Sequence, residues 1–260
     1  LCASTSSAVV NQPAILAATI TAVNVTVCNG NNNGSITING ATGGGGTYQY
    51  SINGGASWQA SNSFTNLIAG TYDVRIRDAA AITCVITLNA AQAITQPVIL
   101  SGTVSKTDVT CFGASNGSIT IGSSAGGSGT FEYSINGGLA WQASNTFSNI
   151  AAGTYNVQIR DQANPTCIIT LNAAYVVNQP LALTATVTPT NVTICNGNNN
   201  GSIIMSSPAG GSGNYEYTIN GGTNWQASPS FTNLTAATYN VQIRDANAVT
   251  CIITLNAALV

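Results

Sequence analysis

The chain has 260 residues, 44% of them apolar and only 5% charged, where an ordinary soluble domain carries roughly 25% charge. Five Lys and Arg stand against seven Asp and Glu and there is no His, so no basic stripe exists to neutralise phosphates and nucleic acid is excluded as a partner. The longest apolar runs, such as residues 14–18, are far shorter than the roughly 18 residues of a helical membrane span.

Residues 1–12 begin at Leu1 with neither a start Met nor a signal-peptide pattern. The run Ala8-Val9-Val10-Asn11-Gln12-Pro13 matches Tyr175-Val176-Val177-Asn178-Gln179-Pro180, and Cys2 matches Cys167. This predicts that residues 1–12 are the last strand of a preceding repeat and that the parent protein is longer.

From residue 13 onward the chain repeats. The segment beginning Tyr48-Gln-Tyr-Ser-Ile-Asn-Gly-Gly and reaching Trp58-Gln-Ala-Ser returns around Trp141 and again around Trp225, at spacings of 83 and 84. Gln12-Pro13, Gln96-Pro97 and Gln179-Pro180 punctuate the junctions and place three repeats at 13–96, 97–179 and 180–260. Within each, apolar residues alternate at period two, which predicts strands. In the first repeat these run at about 14–27, 34–39, 47–53, 56–60, 62–67, 71–78 and 84–94. The expected fold is all-β: tandem small immunoglobulin-like antiparallel β-sandwiches of about seven strands each. Short Gln-Pro junctions without a flexible linker predict a stiff rod.

Local signals agree with that architecture. Asn53-Gly-Gly, Asn136-Gly-Gly and Asn220-Gly-Gly predict tight turns after the third strand. The stretches ending in Tyr72, Tyr155 and Tyr239 resemble the corner at which a Tyr hydroxyl bonds back to the preceding turn. Ala237 stands where the other copies have Gly70 and Gly153, so that position requires no positive φ.

Seven cysteines occur. Cys28 to Cys84, Cys111 to Cys167 and Cys195 to Cys251 are all separated by 56, whereas spacing across junctions drifts from 26 to 28. The constant spacing favours a disulfide inside each repeat, with Cys2 left unpartnered. Against it, the two positions fall at opposite ends of a standard sandwich, while a disulfide needs Cα atoms within about 7 Å. Links between adjacent repeats, such as Cys28 with Cys167 or Cys84 with Cys111, remain the alternative. Structural disulfides imply an oxidising, extracellular setting.

No catalytic constellation is present. Besides the missing His, Lys106 is the only lysine, and the Gly runs at 43–46, 126–129 and 210–213 lack the Lys of a phosphate-binding loop. No enzyme activity, cofactor or metal is expected. The Asn-rich loops after Cys28 and Cys195 lack the carboxylates calcium requires. Glu132 and Glu216 are expected to face Arg160 and Arg244 across neighbouring strands on a solvated face. Trp58, Trp141 and Trp225 are the candidate surface contacts, for glycans or a substratum, although closing one edge of each core is the favoured role.

The combined order Asn-Val-Thr-x-Cys, Asn-Gly-Ser-Ile, Gly-Gly-x-Gly, Tyr-x-Tyr-Ser-Ile, Gly-Thr-Tyr-x-Val-x-Ile-Arg-Asp-Ala, then Cys and Gln-Pro, resembles the SprB-type repeat. That repeat is found in large cell-surface and gliding adhesins of Bacteroidota. The resemblance covers essentially the whole chain. It implies export to the cell surface by the type IX route and a role in adhesion or gliding, as a stalk or filament segment whose partners are neighbouring repeats of the same polypeptide. Asn33, Asn116 and Asn200 occupy a position where the family often has Asp, which removes the charge a metal would need.

Overall fold

The computed structural model describes residues 8–260; the part of the expected leading strand that includes Cys2 lies outside the described residues. Two compact units are present. Among the described residues, the first comprises 8–101, 124–131 and 160–169, and the second comprises 102–123, 132–159 and 170–260, so the middle repeat contributes to both.

In the first unit, the first repeat forms β1 (Ala17–Val23), β2 (Gly34–Thr42), β3 (Tyr48–Ser51), β4 (Ser63–Leu67), β5 (Gly70–Asp78) and β6 (Val85–Ile94). They make two antiparallel three-stranded sheets, ordered β1-β2-β4 and β3-β5-β6. Alternation along the two central strands builds the core: Ile36 and Ile38 of β2 and Val74 and Ile76 of β5 are buried and belong to one cluster with Leu16, Val25, Tyr50 and Ile94. Fully burying each such aliphatic side chain contributes about 1.5–3 kcal/mol before chain entropy is counted.

The middle repeat has the same strand order, with β7 (Ser101–Thr107), β8 (Gly117–Ala125), β9 (Phe131–Ser134), β10 (Thr146–Ile150), β11 (Gly153–Asp161) and β12 (Ile168–Val177) in sheets β10-β8-β7 and β12-β11-β9. In the second unit the third repeat forms β13 (Thr184–Thr190), β14 (Gly201–Ala209), β15 (Tyr215–Thr218), β16 (Ser230–Leu234), β17 (Tyr239–Asp245) and β18 (Ile252–Leu259), in sheets β13-β14-β16 and β15-β17-β18. Its core gathers Ile203, Met205, Val241 and Ile243 around Leu183 and Tyr217.

Each repeat thus has six strands. The additional strand expected at 56–60 is reduced to an isolated bridge between Tyr50 and Gln59, repeated as Tyr133 with Gln142 and Tyr217 with Gln226. The Asn-Gly-Gly turn takes the preceding residues: Gly54 and Gly55 have φ of 71° and 87°, and the buried Ser51 hydroxyl accepts from the Gly55 N–H at 2.9 Å. The tyrosine corner forms in all three copies, with Tyr72 donating to Ile68 O, Tyr155 to Ala151 O and Tyr239 to Thr235 O at 2.8–2.9 Å. Gly70 and Gly153 are absent from the positive-φ glycines, and a Cβ on Gly70 would meet nothing nearer than 3.9 Å, which is why Ala237 fits there.

The sequence gives little warning of the three buried aspartates. Asp78, Asp161 and Asp245, each at the end of its strand, are 4%, 1% and 2% exposed. Asp78 accepts from the N–H groups of Gly45 and Ala80; Asp161 accepts from the N–H and hydroxyl of Ser128 and the N–H of Ala163; Asp245 does the same with Ser212 and Asn247. Each carboxylate so ties its glycine loop to the corner before the last strand. The same loop must pass close to the segment after the Pro: a Cβ on Gly43 would lie 2.2 Å from Ile15 O, and Gly44 N–H donates to Ala14 O at 2.9 Å. Only glycine tolerates both that approach and φ of 85°.

These hydrogen bonds hold the Asp78 carboxyl below the ordinary carboxylate range. At Asp161 and Asp245, burial is the largest single influence and opposes ionisation, but the Ser and backbone donors outweigh it and the net direction is again downward. A folded pKa below the unfolded one contributes stability that is complete above the unfolded value of roughly 4 and is lost as pH falls through the folded value. Urea unfolding is therefore expected to be flat between pH 7 and about 5 and to weaken on further acidification. Asp161→Asn or Asp245→Asn is expected to cost about 1–3 kcal/mol at pH 7, by stranding buried donors, and to flatten part of the acid limb.

Candidate functional site

The bridges begin in the loop after the first strand of a repeat. In the first unit Asn33 closes this loop, its Nδ2 donating to Thr26 Oγ1 at 3.0 Å and its Oδ1 accepting from Thr26 N–H at 3.2 Å. Asn116 with Thr110 and Asn200 with Thr193 do the same in the second unit. The Asn at this position thus acts as a neutral loop clasp. Among the described residues no group of three or more His, Cys, Asp and Glu side chains converges.

The loop is then held by the junction. Gln96 Oε1 accepts from Gly30 N–H at 2.7 Å, and Asn29 Nδ2 donates to Pro97 O at 2.9 Å. In the second unit Gln179 Oε1 accepts from Gly113 N–H at 2.7 Å. The Gln of the Gln-Pro pair is a clamp as well as a boundary marker, a role that its recurrence beside Pro could have signalled.

The other half of each bridge sits at the entry to a last strand. Asp161 N–H donates to Cys167 O and Cys167 N–H to Asn164 O, a tight corner repeated at Asp245, Cys251 and Ala248. With both halves fixed, Cys28 is bonded to Cys167 and Cys111 to Cys251, with Cα separations of 5.5 and 5.4 Å. Each bridge joins the first loop of one repeat to the last strand of the next. Cys84 and Cys195 carry free, exposed thiols; Cys2 lies outside the described residues.

This corrects the pairing inside each repeat that the constant spacing of 56 favours, including the disulfides expected at Cys84 and Cys195. The reason is strand length. Cys28 lies beside Gln96, just beyond the end of β6, whereas Cys84 immediately precedes its start. The ten residues of β6 at about 3.3 Å each separate them by roughly 33 Å, several times the reach of a disulfide. Constant spacing reports a constant repeat, not proximity.

Trp58, Trp141 and Trp225 are all half-buried. The edge of Trp58 lies against Gly55, where an added Cβ would meet the ring at 3.2 Å, and Trp141 Nε1 donates to Gly138 O at 3.0 Å. Guanidinium groups lie over the Trp58 and Trp225 rings: Arg77 sits 4.5 Å from the Trp58 centroid and Arg244 sits 4.4 Å from that of Trp225. Arg244 also pairs with Glu216 at 2.6 Å, directly across from it in register, while in the first repeat Gln49 replaces the Glu and accepts from Arg77 Nε at 2.7 Å. Asp73 pairs with Arg75 on its own strand at 2.6 Å. Each Trp packs on the turn, and at Trp58 and Trp225 an ion pair or amide orients the Arg above it.

The SprB repeat family model matches residues 19–57, 103–140 and 186–224. A search of curated proteins finds no match. Among solved structures, the three N-terminal domains of the bacteriophage RB49 highly immunogenic outer capsid protein (Hoc) are similar, with 12% identity, 94% of this chain and 96% of that chain covered, and a TM-score of 0.37.

Closing a loop of 139 residues restricts the unfolded chain by about 5 kcal/mol on the chain-entropy account. Replacing Cys28 and Cys167 together by Ser is expected to lower stability by about 2–5 kcal/mol in urea titrations. Cys84→Ser is expected to change it by less than about 0.5 kcal/mol, as for an exposed side chain without a partner bond.

Proposed function

Since the chain carries three repeats of the SprB family, we propose that it is a stalk segment of a large repetitive cell-surface adhesin, bearing load between a surface and a distal contact in adhesion or gliding. SprB repeats mark a repeated segment of a surface protein. The observation that carries the reading is the direction of the bridges. Because each joins one repeat to the next, tension on the ends crosses each junction through a covalent bond as well as through the backbone.

The shortest covalent route between the ends goes from Leu1 to Cys28, across to Cys167, back to Cys111, across to Cys251 and on to Val260. It contains 27, 56 and 9 residue steps, about 92 in place of the 259 of the uncrosslinked chain. Even with every strand unfolded, the bridged chain can lengthen to only about a third of its open length. Pairing inside repeats would shorten each core separately and leave the junctions to carry load alone. The near absence of charge and the coverage of Trp58 and Trp225 by Arg77 and Arg244 also support a passive spacer over an exposed aromatic binding face.

Single-molecule pulling on the oxidised chain is expected to end at about 320 Å of contour, rising to about 900 Å after reduction, at roughly 3.5 Å per residue. A full-length release without reductant would remove the load-bearing role. On a glycan array the three-repeat chain is expected to show no binding. Binding that disappears when Trp58, Trp141 and Trp225 are replaced by Ala would replace the stalk with a multivalent glycan-binding array.

A further inference from the structure

The chain carries one stretch of sequence twice, as Cys28-Asn-Gly-Asn-Asn-Asn-Gly34 and as Cys195-Asn-Gly-Asn-Asn-Asn-Gly201. Both copies fold alike. Gly30 and Gly197 have φ of 82° and 88°, Asn31 N–H donates to Cys28 O at 3.2 Å and Asn198 N–H to Cys195 O at 3.1 Å, and Asn29 and Asn196 are both exposed. Their surroundings differ. In the first unit Asn29 Nδ2 donates to Pro97 O at 2.9 Å and Gly30 N–H donates to Gln96 Oε1 at 2.7 Å. Among the described residues, Asn196 Nδ2 and Gly197 N–H make no such bonds.

An Asn followed by Gly is chemically fragile, because glycine has no side chain to keep its nitrogen away from the Asn carboxamide. The Gly nitrogen attacks the Asn Cγ. An N–C bond forms, the Cγ–Nδ2 bond breaks, the N–H proton passes to solvent and ammonia leaves; water then opens the cyclic imide at either carbonyl, giving Asp or its β-linked isomer. Water is the only co-reactant. At Asn29-Gly30 the junction withholds both reacting groups, since the carboxamide is turned onto Pro97 O and the N–H is engaged by Gln96. Both bonds must break before Cγ can settle over the nitrogen.

We infer that Asn29-Gly30 is a self-modification site gated by the Gln96-Pro97 junction: the closed junction suppresses the conversion, and an opened one releases the pair to its own chemistry. The product works against reclosing. A carboxylate at position 29 has no N–H to donate to Pro97 O and sets negative charge against that carbonyl, while the β-linked isomer also adds a methylene to the backbone beside the bridged Cys28. A junction open long enough to convert therefore closes again with one of its two clasps missing, and the opening is recorded irreversibly. The middle repeat lacks the device. There Gln179 holds Gly113 in the same way, but Phe112 stands where the first repeat has Asn29. The assignment rests on bonds inside the first unit and holds equally for a stalk and for a glycan-binding array.

The oxidised chain is incubated at neutral pH and digested with pepsin, and Asp plus its β-linked isomer at positions 29 and 196 are counted by mass spectrometry. Asn29 is expected to convert about tenfold or more slowly than Asn196, the effect of two net hydrogen bonds. In concentrated urea with a reductant, the two positions are expected to convert at matching rates, because only the shared local sequence remains. Gln96→Ala is expected to speed Asn29 severalfold and leave Asn196 unchanged, with the Cys28–Cys167 peptide in the same digest reporting that the unit has folded. Equal rates in the folded chain, a difference that persists in urea, or a folded Gln96→Ala chain whose Asn29 stays slow would each overturn the gate. Asn29→Asp supplies the product directly. Hydrogen exchange at the Gly30 amide is then expected to quicken, and an unchanged rate would remove the irreversible character of the site.

Discussion

The buried aspartate at the end of the fifth strand is the constraint on which the rest of each repeat depends. In a chain with so few charges, three carboxylates are placed where water is largely excluded, which is unfavourable unless several donors converge on them. Those donors come from the glycine loop on one side and from the corner before the last strand on the other. Holding the loop fixes the backbone groups that receive the segment after the Pro: Gly44, Gly127 and Gly211 each donate to a carbonyl there at 2.9 Å. Holding the corner fixes the cysteine. One carboxylate therefore sets both where the chain enters a repeat and where that repeat can be crosslinked.

The crosslinks follow from that geometry and from the length of the last strand. A first-loop cysteine lies at the end of the sandwich from which the chain leaves, beside the junction Gln, and a last-strand cysteine lies at the end where the chain enters. Within one repeat these are opposite ends; across a junction they are adjacent. The two loops so closed, 28–167 and 111–251, overlap along the middle repeat. Overlap makes the shortest covalent route double back through residues 111–167, so that stretch of the middle repeat lies on the load path.

How much of this was legible in the sequence depended on how local each cause is. Period-two alternation located the strands because Ile36, Ile38, Val74 and Ile76 each face the core for reasons contained in their own strand. The tyrosine corner and the Asn-Gly-Gly turn are set within about five residues, and both were readable. The pairing of Glu216 with Arg244 needed only that two strands be neighbours. The segment at 56–60 misled because Ala56, Trp58 and Ala60 alternate with Ser57 and Gln59 like a strand, while only Gln59 makes a bridge, to Tyr50. Cysteine pairing was illegible from spacing, since every position in a tandem array recurs at a fixed separation whether or not it is close to its copy. Asp78 and Gln96 hid for a different reason. Their partners are backbone N–H groups 33 and 66 residues earlier in the chain, and backbone donors leave no mark in a sequence.

Covalent coupling also changes what a small core must accomplish. Eight buried side chains hold the first sandwich, and a domain of this size with so modest a core has only a narrow margin of stability over its chain entropy. In an ordinary tandem array each unit would face that margin with only its nearest-neighbour interfaces to help. Here the first loop of one repeat cannot leave its place without dragging the last strand of the next, and that strand is also held by the next repeat's aspartate. Opening one sandwich therefore loads the corner of its neighbour, where the carboxylate bonds are buried and numerous. The scarcity of surface charge then ceases to be a weakness, because what joins the repeats is a covalent bond set by two hydrogen-bonded corners rather than an ion pair that salt could screen.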